Sequence, residues 1–423
     1  MPSEAATIDA PQQASARTDE IRAAAGALFA TKGYAATTMN DIANAVGILP
    51  GSLYHHFAAK ETIAIELSKA FQAALYEVAV DSRTPEHAAL PPEERLRQLV
   101  TDVAVVGKQH APALGLRIFE APTVASKQFS AAVNHRPAAL HRVWRSVIAD
   151  LVPLAPPGVM DQEMLAYALQ GLSISPGVSA ADPRGVEASS RLLCDLLLHG
   201  IVMDCPDNAT LDASAPMAAV KDVIAHQMQP DAGDETRAQI VAAARREFAR
   251  RGFDATTIRD IADAAEVRMG TLYRRIESKQ ALFAEIVDNY DEQLDALLRS
   301  ALTTEAASEA ESLDALAFGV AYAARRFTDE AHMMSLIWNR QQESQSPVNR
   351  YVRHTGERLG LLAGLLAQGQ DQGRIQKFAE PEILASHVRS VLWSASARHE
   401  RNSQRRIQAF LREHLLRGAL TPR

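Results

Sequence analysis

Residues 21 to 60 read IRAAAGALFATKGYAATTMNDIANAVGILPGSLYHHFAAK, and residues 240 to 279 read IVAAARREFARRGFDATTIRDIADAAEVRMGTLYRRIESK; they align without a gap at an offset of 219, with eighteen of forty positions identical. Ile21, Ala25 and Phe29, like Ile240, Ala244 and Phe248, fall at i, i+4 and i+8, which lines one stripe of a helix facing a small core. Gly33 and Gly252 end that helix. Thr38-Met-Asn-Asp41 and Thr257-Ile-Arg-Asp260 read as capping boxes, so a second helix starts at each threonine and runs to about Val46 or Ala265. Gly47 breaks the first copy, and a third helix begins by Pro50-Gly51-Ser52 or Met269-Gly270-Thr271. Two short helices joined by a tight turn, with another packed behind, make a helix-turn-helix.

These residues resemble the tetracycline-repressor (TetR) family of bacterial transcription regulators. The resemblance rests on a helix ending in Phe-Ala-x-x-Gly-[Tyr/Phe], then Ala-Thr-Thr, Asp-Ile-Ala, Gly-[Ser/Thr]-Leu-Tyr and a later Lys, present in both copies. It implies that the third helix enters the major groove and that the Tyr and the Lys grip phosphates. Carried over, Thr38, Pro50, Gly51, Ser52, Tyr54, His55 and Lys60 form one DNA-facing set, and Thr257, Arg268, Gly270, Thr271, Tyr273, Arg274, Arg275 and Lys279 the other. Both copies depart from the pattern. The family places a small capping serine before the third helix, where this chain has Leu49 and Arg268, neither of which accepts a backbone amide bond. Pro50 suits a first helical turn, and the aromatic that closes the helix survives as Phe57 but is Ile276 in the second copy.

Charge separates the copies. Residues 17 to 64 carry four basic and four acidic side chains, whereas residues 236 to 283 carry ten basic and six acidic, a net of +4. Phosphate neutralisation supplies much of non-specific affinity, so the second head is expected to bind DNA more tightly. For Arg245, Arg246, Arg250 and Arg251 a solvated helix face is an equal reading, whereas Arg274 and Arg275 are expected on the reading helix itself.

Outside the heads the repeat continues. Leu197-Leu198-His199-Gly200 matches Leu415-Leu416-Arg417-Gly418 at an offset of 218, and Asp161-Gln-Glu-Met164 aligns with Pro381-Glu-Ile-Leu384 at 220. Helix-forming runs at Glu94 to Val106, Leu140 to Leu151, Glu187 to Met203, Leu313 to Phe327 and Glu382 to Ala397, with no convincing strand, predict an all-α chain of two TetR-like units. Its expected organisation is a disordered tail (1–16), a first head (17–64) and body (65–203), a linker (204–235) holding a short helix around Ala218 to Met228, then a second head (236–283) and body (284–423). The family resemblance implies that Arg191 to Ile201 and Arg406 to Leu416 build a four-helix interface. Duplication supplies a partner within the chain, so an intrachain pseudo-dimer reading an asymmetric operator is expected, with a four-headed homodimer as the competing assembly.

The resemblance also implies a ligand chamber in each body, with a small, largely apolar effector that lowers operator affinity by binding two states differently. Aromatic and sulfur-bearing candidates for its walls are His110, Phe119, Trp144 and Tyr167 in the first half, and Phe318, Tyr322, Met334, Trp338 and Trp393 in the second. At helical spacing such residues also serve as plain core. The net charge of -7 places DNA attraction in the heads rather than the whole body. Cys194 and Cys205, with no signal peptide or long apolar span, read as reduced thiols in a cytoplasmic protein. No phosphate loop, Gly-x-Gly-x-x-Gly, Glu-x-x-His or His-x-x-x-His is present, so neither an enzyme, a cofactor nor a metal is expected. Gly171-Leu-Ser173-Ile-Ser175 lacks the closing glycine of a nucleophile elbow. The reading is a ligand-released repressor; an all-helical adaptor whose heads have lost sequence recognition is the alternative, favoured by Leu49, Arg268 and the neutral first head.

Overall fold

The computed structural model describes residues 10–34, 36–119, 126–175, 182–228, 234–337, 347–397 and 400–422. The first half folds as α1 (Ala10–Lys32), α2 (Met39–Val46), α3 (Pro50–His56), α4 (Lys60–Asp81), α5 (Pro85–Ala88), α6 (Pro92–Gln109), α7 (Ala111–Phe119), α8 (Lys127–Asn134), α9 (Ala138–Ala149), α10 (Gln162–Ser173) and α11 (Val186–His199). After α12 (Asn208–Asp212) and α13 (Ala215–Gln227), the pattern restarts with α14 (Glu235–Arg251), α15 (Ile258–Ala264), α16 (Met269–Tyr273), α17 (Lys279–Thr303), α18 (Glu309–Arg326), α19 (Thr328–Ile337), α20 (Pro347–Asp371), α21 (Pro381–Ser396) and α22 (Gln404–Phe410), which runs into a π-helical turn, Leu411–Leu416. Each helical run expected from sequence falls on one of these elements, but Glu187 to Met203 overruns α11, which ends at His199 because Gly200 follows at φ 70°, Leu140 to Leu151 overruns α9 by two residues, and Leu313 to Phe327 and Glu382 to Ala397 overrun α18 and α21 by one each.

Two expectations are corrected. Residues 1–9 lie outside the described residues, but Ala10 to Ala16 belong to α1 rather than to a tail. Between the halves, the helix expected around Ala218 to Met228 spans Ala215–Gln227, yet it is not a tether alone: α13 packs on α17 and α18, and Leu211, Met217 and Val220 are fully buried. Leu211 is flanked by Thr210 and Asp212, and Met217 and Val220 stand among alanines in a segment rich in Pro and Asp, so composition concealed a short buried stripe.

The halves meet about a pseudo-two-fold axis. Helix α10 packs on its counterpart α21, and α11 packs on its counterpart, the π-helical end of α22. Ile201 N–H donates to Leu415 O (2.9 Å) while Ala419 N–H donates to Leu197 O (3.3 Å); Val202 N–H donates to Leu416 O (3.0 Å) while Leu420 N–H donates to Leu198 O (2.7 Å). Each bond maps onto its twin at the offset of 218, the signature of an isologous contact. At the crossing Gly200 (φ 70°) faces Gly418 (φ 86°). A methyl group on Gly200 would lie 2.4 Å from the Arg417 carbonyl carbon, and one on Gly418 2.2 Å from that of His199, so both positions require glycine. Alongside, Val202 pairs with Ile375 in a short antiparallel bridge.

Candidate nucleic-acid interface

Each head is held together by the same bonds. In the first, Asp41 N–H donates to Thr38 Oγ1 (3.1 Å) and Thr38 N–H to Asp41 Oδ2 (2.7 Å); in the second, Asp260 N–H donates to Thr257 Oγ1 (3.1 Å) and Thr257 N–H to Asp260 Oδ2 (2.8 Å). Lys32 pairs with Asp41 at 2.7 Å and its counterpart Arg251 with Asp260 at 2.9 Å. The hydrogen bonds of Lys32 and then Thr38 hold the Asp41 carboxyl down to about 2. The turn after each second helix demands a left-handed residue: Gly47 supplies φ 70°, and the equivalent Glu266 takes φ 56° despite its side chain. Leu53 and Leu272 are fully buried and anchor the third helices.

On that frame Tyr54 and Tyr273 stand out into solvent, 55% and 60% exposed. Thr38, Gly51, Ser52 and His55 are exposed beside the first, and Pro50 is half-buried. Around the second, Thr257, Arg268, Gly270, Arg274 and Arg275 are exposed and Thr271 is half-buried. Neither Leu49 nor Arg268 makes a side-chain cap, in keeping with the departures seen in sequence.

Three expectations about this surface change. Lys60 and Lys279 do not present their ammonium groups outward. Lys60 Nζ donates to Tyr34 O and Thr37 O, both at 2.7 Å, and lies 4.6 Å from the Tyr34 ring centre; Lys279 Nζ donates to Phe253 O and Thr256 O, both at 2.9 Å, and lies 4.4 Å from the Phe253 ring. Each lysine ties the start of the fourth helix to the loop after the first, which satisfies carbonyls that a turn leaves exposed. Arg274 and Arg275 lie past the end of α16, not within it: Arg274 is its C-cap and donates to Thr271 Oγ1 (3.3 Å), and Arg275 pairs with Asp234 at 2.8 Å. Finally, the +4 charge of the second head is partly offset by acids outside it: Arg237 pairs with Glu285 at 2.6 Å, Arg245 with Glu330 at 3.1 Å and Arg275 with Asp234. Within the head, Arg250 and Arg251 pair with Glu247.

Behind the heads, the bodies hold unequal cavities. In the first half a cavity of about 1030 Å³ opens between α6, α9 and α10, with Leu140, Trp144 and Tyr167 in its wall. The Trp144 indole is fully buried, and its Nε1–H has no hydrogen-bond partner. Sequence reasoning missed the polar part of this wall: Arg136, His141 and Arg145 line it, and Arg401 comes from the opposite half. His141 and Arg145 stand on a periodic helix and read as a solvated face, and Arg136 and Arg401 lie in connections between helices, so nothing in the letters singled them out. His110 caps α6 and packs on the Phe71 ring at 5.9 Å, apart from this wall, and burial lowers its proton affinity. In the second half a cavity of about 60 Å³ includes Trp393. Phe318, Tyr322 and Met334 do not line either; Met334 is buried core, Phe318 lies under Lys221, and Tyr322 is half-buried against the core. Trp338 and the side chain of Phe119 lie outside the described residues. The Cys194 thiol is fully buried, which pushes its pKa up, and Cys194 and the half-buried Cys205 are both free thiols.

A family model described as "Bacterial regulatory proteins, tetR family" matches residues 21–67 and again 240–286. The chain belongs to this family and contains two TetR-like units. Among curated relatives, the HTH-type transcriptional repressor KstR2 of Mycobacterium tuberculosis is 34% identical over 139 residues, 32% of this chain and 66% of that protein. KstR2 of Mycolicibacterium smegmatis is 48% identical over 63 residues, 15% of this chain and 31% of that protein. The chain thus spans between about a third and two thirds of the length of these relatives. A solved structure of the ketosteroid transcriptional regulator KstR2 of Mycobacterium tuberculosis aligns with a TM-score of 0.37 at 23% identity, over 42% of this chain and 92% of that one. No described helix is long and apolar enough to cross a membrane.

Proposed function

We propose that the chain is a DNA-binding transcription repressor in which one polypeptide supplies both heads of an operator-reading pair. The observation that carries this reading is the repeated head with an outward tyrosine at each copy, joined to bodies that pair about a pseudo-two-fold axis. Unlike third helices imply an asymmetric operator: Ser52, Tyr54 and His55 face one half-site, and Arg268, Thr271, Tyr273 and Arg274 the other. Phosphate contact falls to the tyrosines, the exposed arginines and main-chain amides rather than to Lys60 and Lys279.

The effector is a small, largely apolar molecule with one anionic end, bound in the larger cavity. Supporting this are an apolar wall, a buried Trp144 N–H able to donate inside it, and Arg136, Arg145 and Arg401 able to hold a carboxylate.

Footprinting on DNA upstream of the chain's own gene, over a salt series, tests the DNA reading. Two unequal protected half-sites about 34 Å apart, with replacement of either half-site by a copy of the other weakening retention, are the expected result. Retention indifferent to sequence at every salt concentration would favour the adaptor instead.

A further inference from the structure

Beneath the symmetric backbone bonds, the side-chain contacts between the halves are one-sided. Arg406 of the second half forks onto Asp161 of the first, Nε to Oδ2 at 2.8 Å and a terminal nitrogen to Oδ1 at 2.9 Å, and also reaches Glu163 at 2.9 Å. Asp161 N–H in turn donates to His414 Nε2 (3.2 Å). Deeper in, Ser189 Oγ lies 2.8 Å from His387 Nε2, with both residues buried, and His387 Nδ1 lies 2.8 Å from Ile383 O, so a neutral imidazole donates to the carbonyl and accepts from the serine.

The mirror image of each contact lacks the polar pair. At the repeat offsets of 218 and 220, the pair Arg406 with Asp161 becomes Ala188 with Pro381. His414 with the Asp161 amide becomes Leu196 with Pro381, a residue with no N–H to give. Ser189 with His387 becomes Ile407 with Tyr167. Two first halves placed together would set Asp161 against Ala188; two second halves would set Arg406 against Pro381 and buried His387 against Ile407. An isologous interface repeats each mismatch on both sides of the axis. A polar group left facing an apolar one is the usual repulsive element of specificity.

We propose that these contacts form a pairing code: each half accepts the unlike half and rejects a like one, so the chain closes on itself as a two-headed unit and does not assemble with a second copy. The inference concerns the bodies alone and stands or falls apart from the DNA reading. Glu163 is largely exposed and contributes at the rim; Asp161 and Arg406 decide.

The test uses full-length chains with two different affinity tags. Arg406→Asp in one chain and Asp161→Arg in another each place like charges across the interface; only an exchange of halves satisfies both interfaces, one with the native Asp161–Arg406 pair and the other with the two charges reversed. Co-expressed, these two variants are expected to capture each other about tenfold more than two wild-type chains do, at twice the single-chain mass. The wild type is expected to stay at its chain mass of 45.9 kDa. A chain carrying Asp161→Arg with Arg406→Asp is expected to return to single-chain mass and a near-wild-type melting midpoint. If either single variant is insoluble alone, recovery on co-expression is the same expected result. Capture no greater than wild type, failure of the double reversal to recover, or a two-chain mass for the wild type would each overturn the code.

Discussion

Lys279 illustrates how a motif residue is legible in kind but not in role. Its place five residues after Arg274 marks it as part of the repeated pattern, but a lysine near a DNA-facing helix could reach a phosphate or fold back. Which it does depends on where the Phe253 and Thr256 carbonyls are left by the loop, and both sit 2.9 Å away. Two charge-assisted bonds outweigh a screened surface contact. Lys279→Ala should therefore lower stability by roughly 2–3 kcal/mol in urea unfolding and leave the salt dependence of DNA binding unchanged. Tyr273→Phe should weaken binding across sequences, and Arg274→Ala should relax base choice. A shallower salt slope in the lysine variant with unaltered stability would return it to the phosphate-gripping role.

Among elements, the crossing of α11 with the end of α22 is set by two glycines. The letters Leu-Leu-x-Gly recurring at positions 197 and 415 marked corresponding helix ends, and the family resemblance put both segments in an interface, but the letters held no sign that the main chains meet glycine to glycine. The contact comes from positive φ at Gly200 and Gly418 and from main chains approaching too closely for any Cβ. Gly418→Ala combines strain with backbone overlap and should cost on the order of 3 kcal/mol or more, seen as a lowered urea midpoint. A variant within about 1 kcal/mol of wild type would mean that the crossing relaxes easily. By contrast, the helices themselves were plain in sequence, since apolar spacing and capping boxes are local properties; the stripe formed by Leu211 of α12 with Met217 and Val220 of α13 was not, because these side chains acquire meaning only against α17 and α18.

For the whole molecule, the question is how the proposed effector in one body would reach two heads. The cavity wall includes Ile174, whose backbone packs against Gly107, next to Leu114 of α7. On α7, Pro112 fits against Gly26 of α1, where an added methyl group would lie 3.0 Å from the proline Cβ. Helix α7 also touches α19, and Glu330 of α19 holds Arg245 in the second head. One shifted helix thus bears on both heads, by packing on the first and by an ion pair on the second. Coupling of this kind typically changes affinity about 5- to 150-fold. Gly26→Val, which wedges α1 away from α7, should retain binding of a fatty-carboxylate probe and reduce the probe's effect on operator affinity by about tenfold. Release equal to wild type in a mobility-shift titration would show that the signal takes another path.

The linear chain determined the duplication, the helix-turn-helix heads, their caps and the family, because these rest on contacts within a few residues and on letters repeated at one offset. Only the tertiary structure decided which lysines turn inward, where the cavity lies, and that the halves meet through one-sided polar contacts. Those depend on groups as much as 253 residues apart, as with Asp161 and His414, and the energy of a buried or bridging side chain is fixed by what surrounds it, not by its neighbours along the chain.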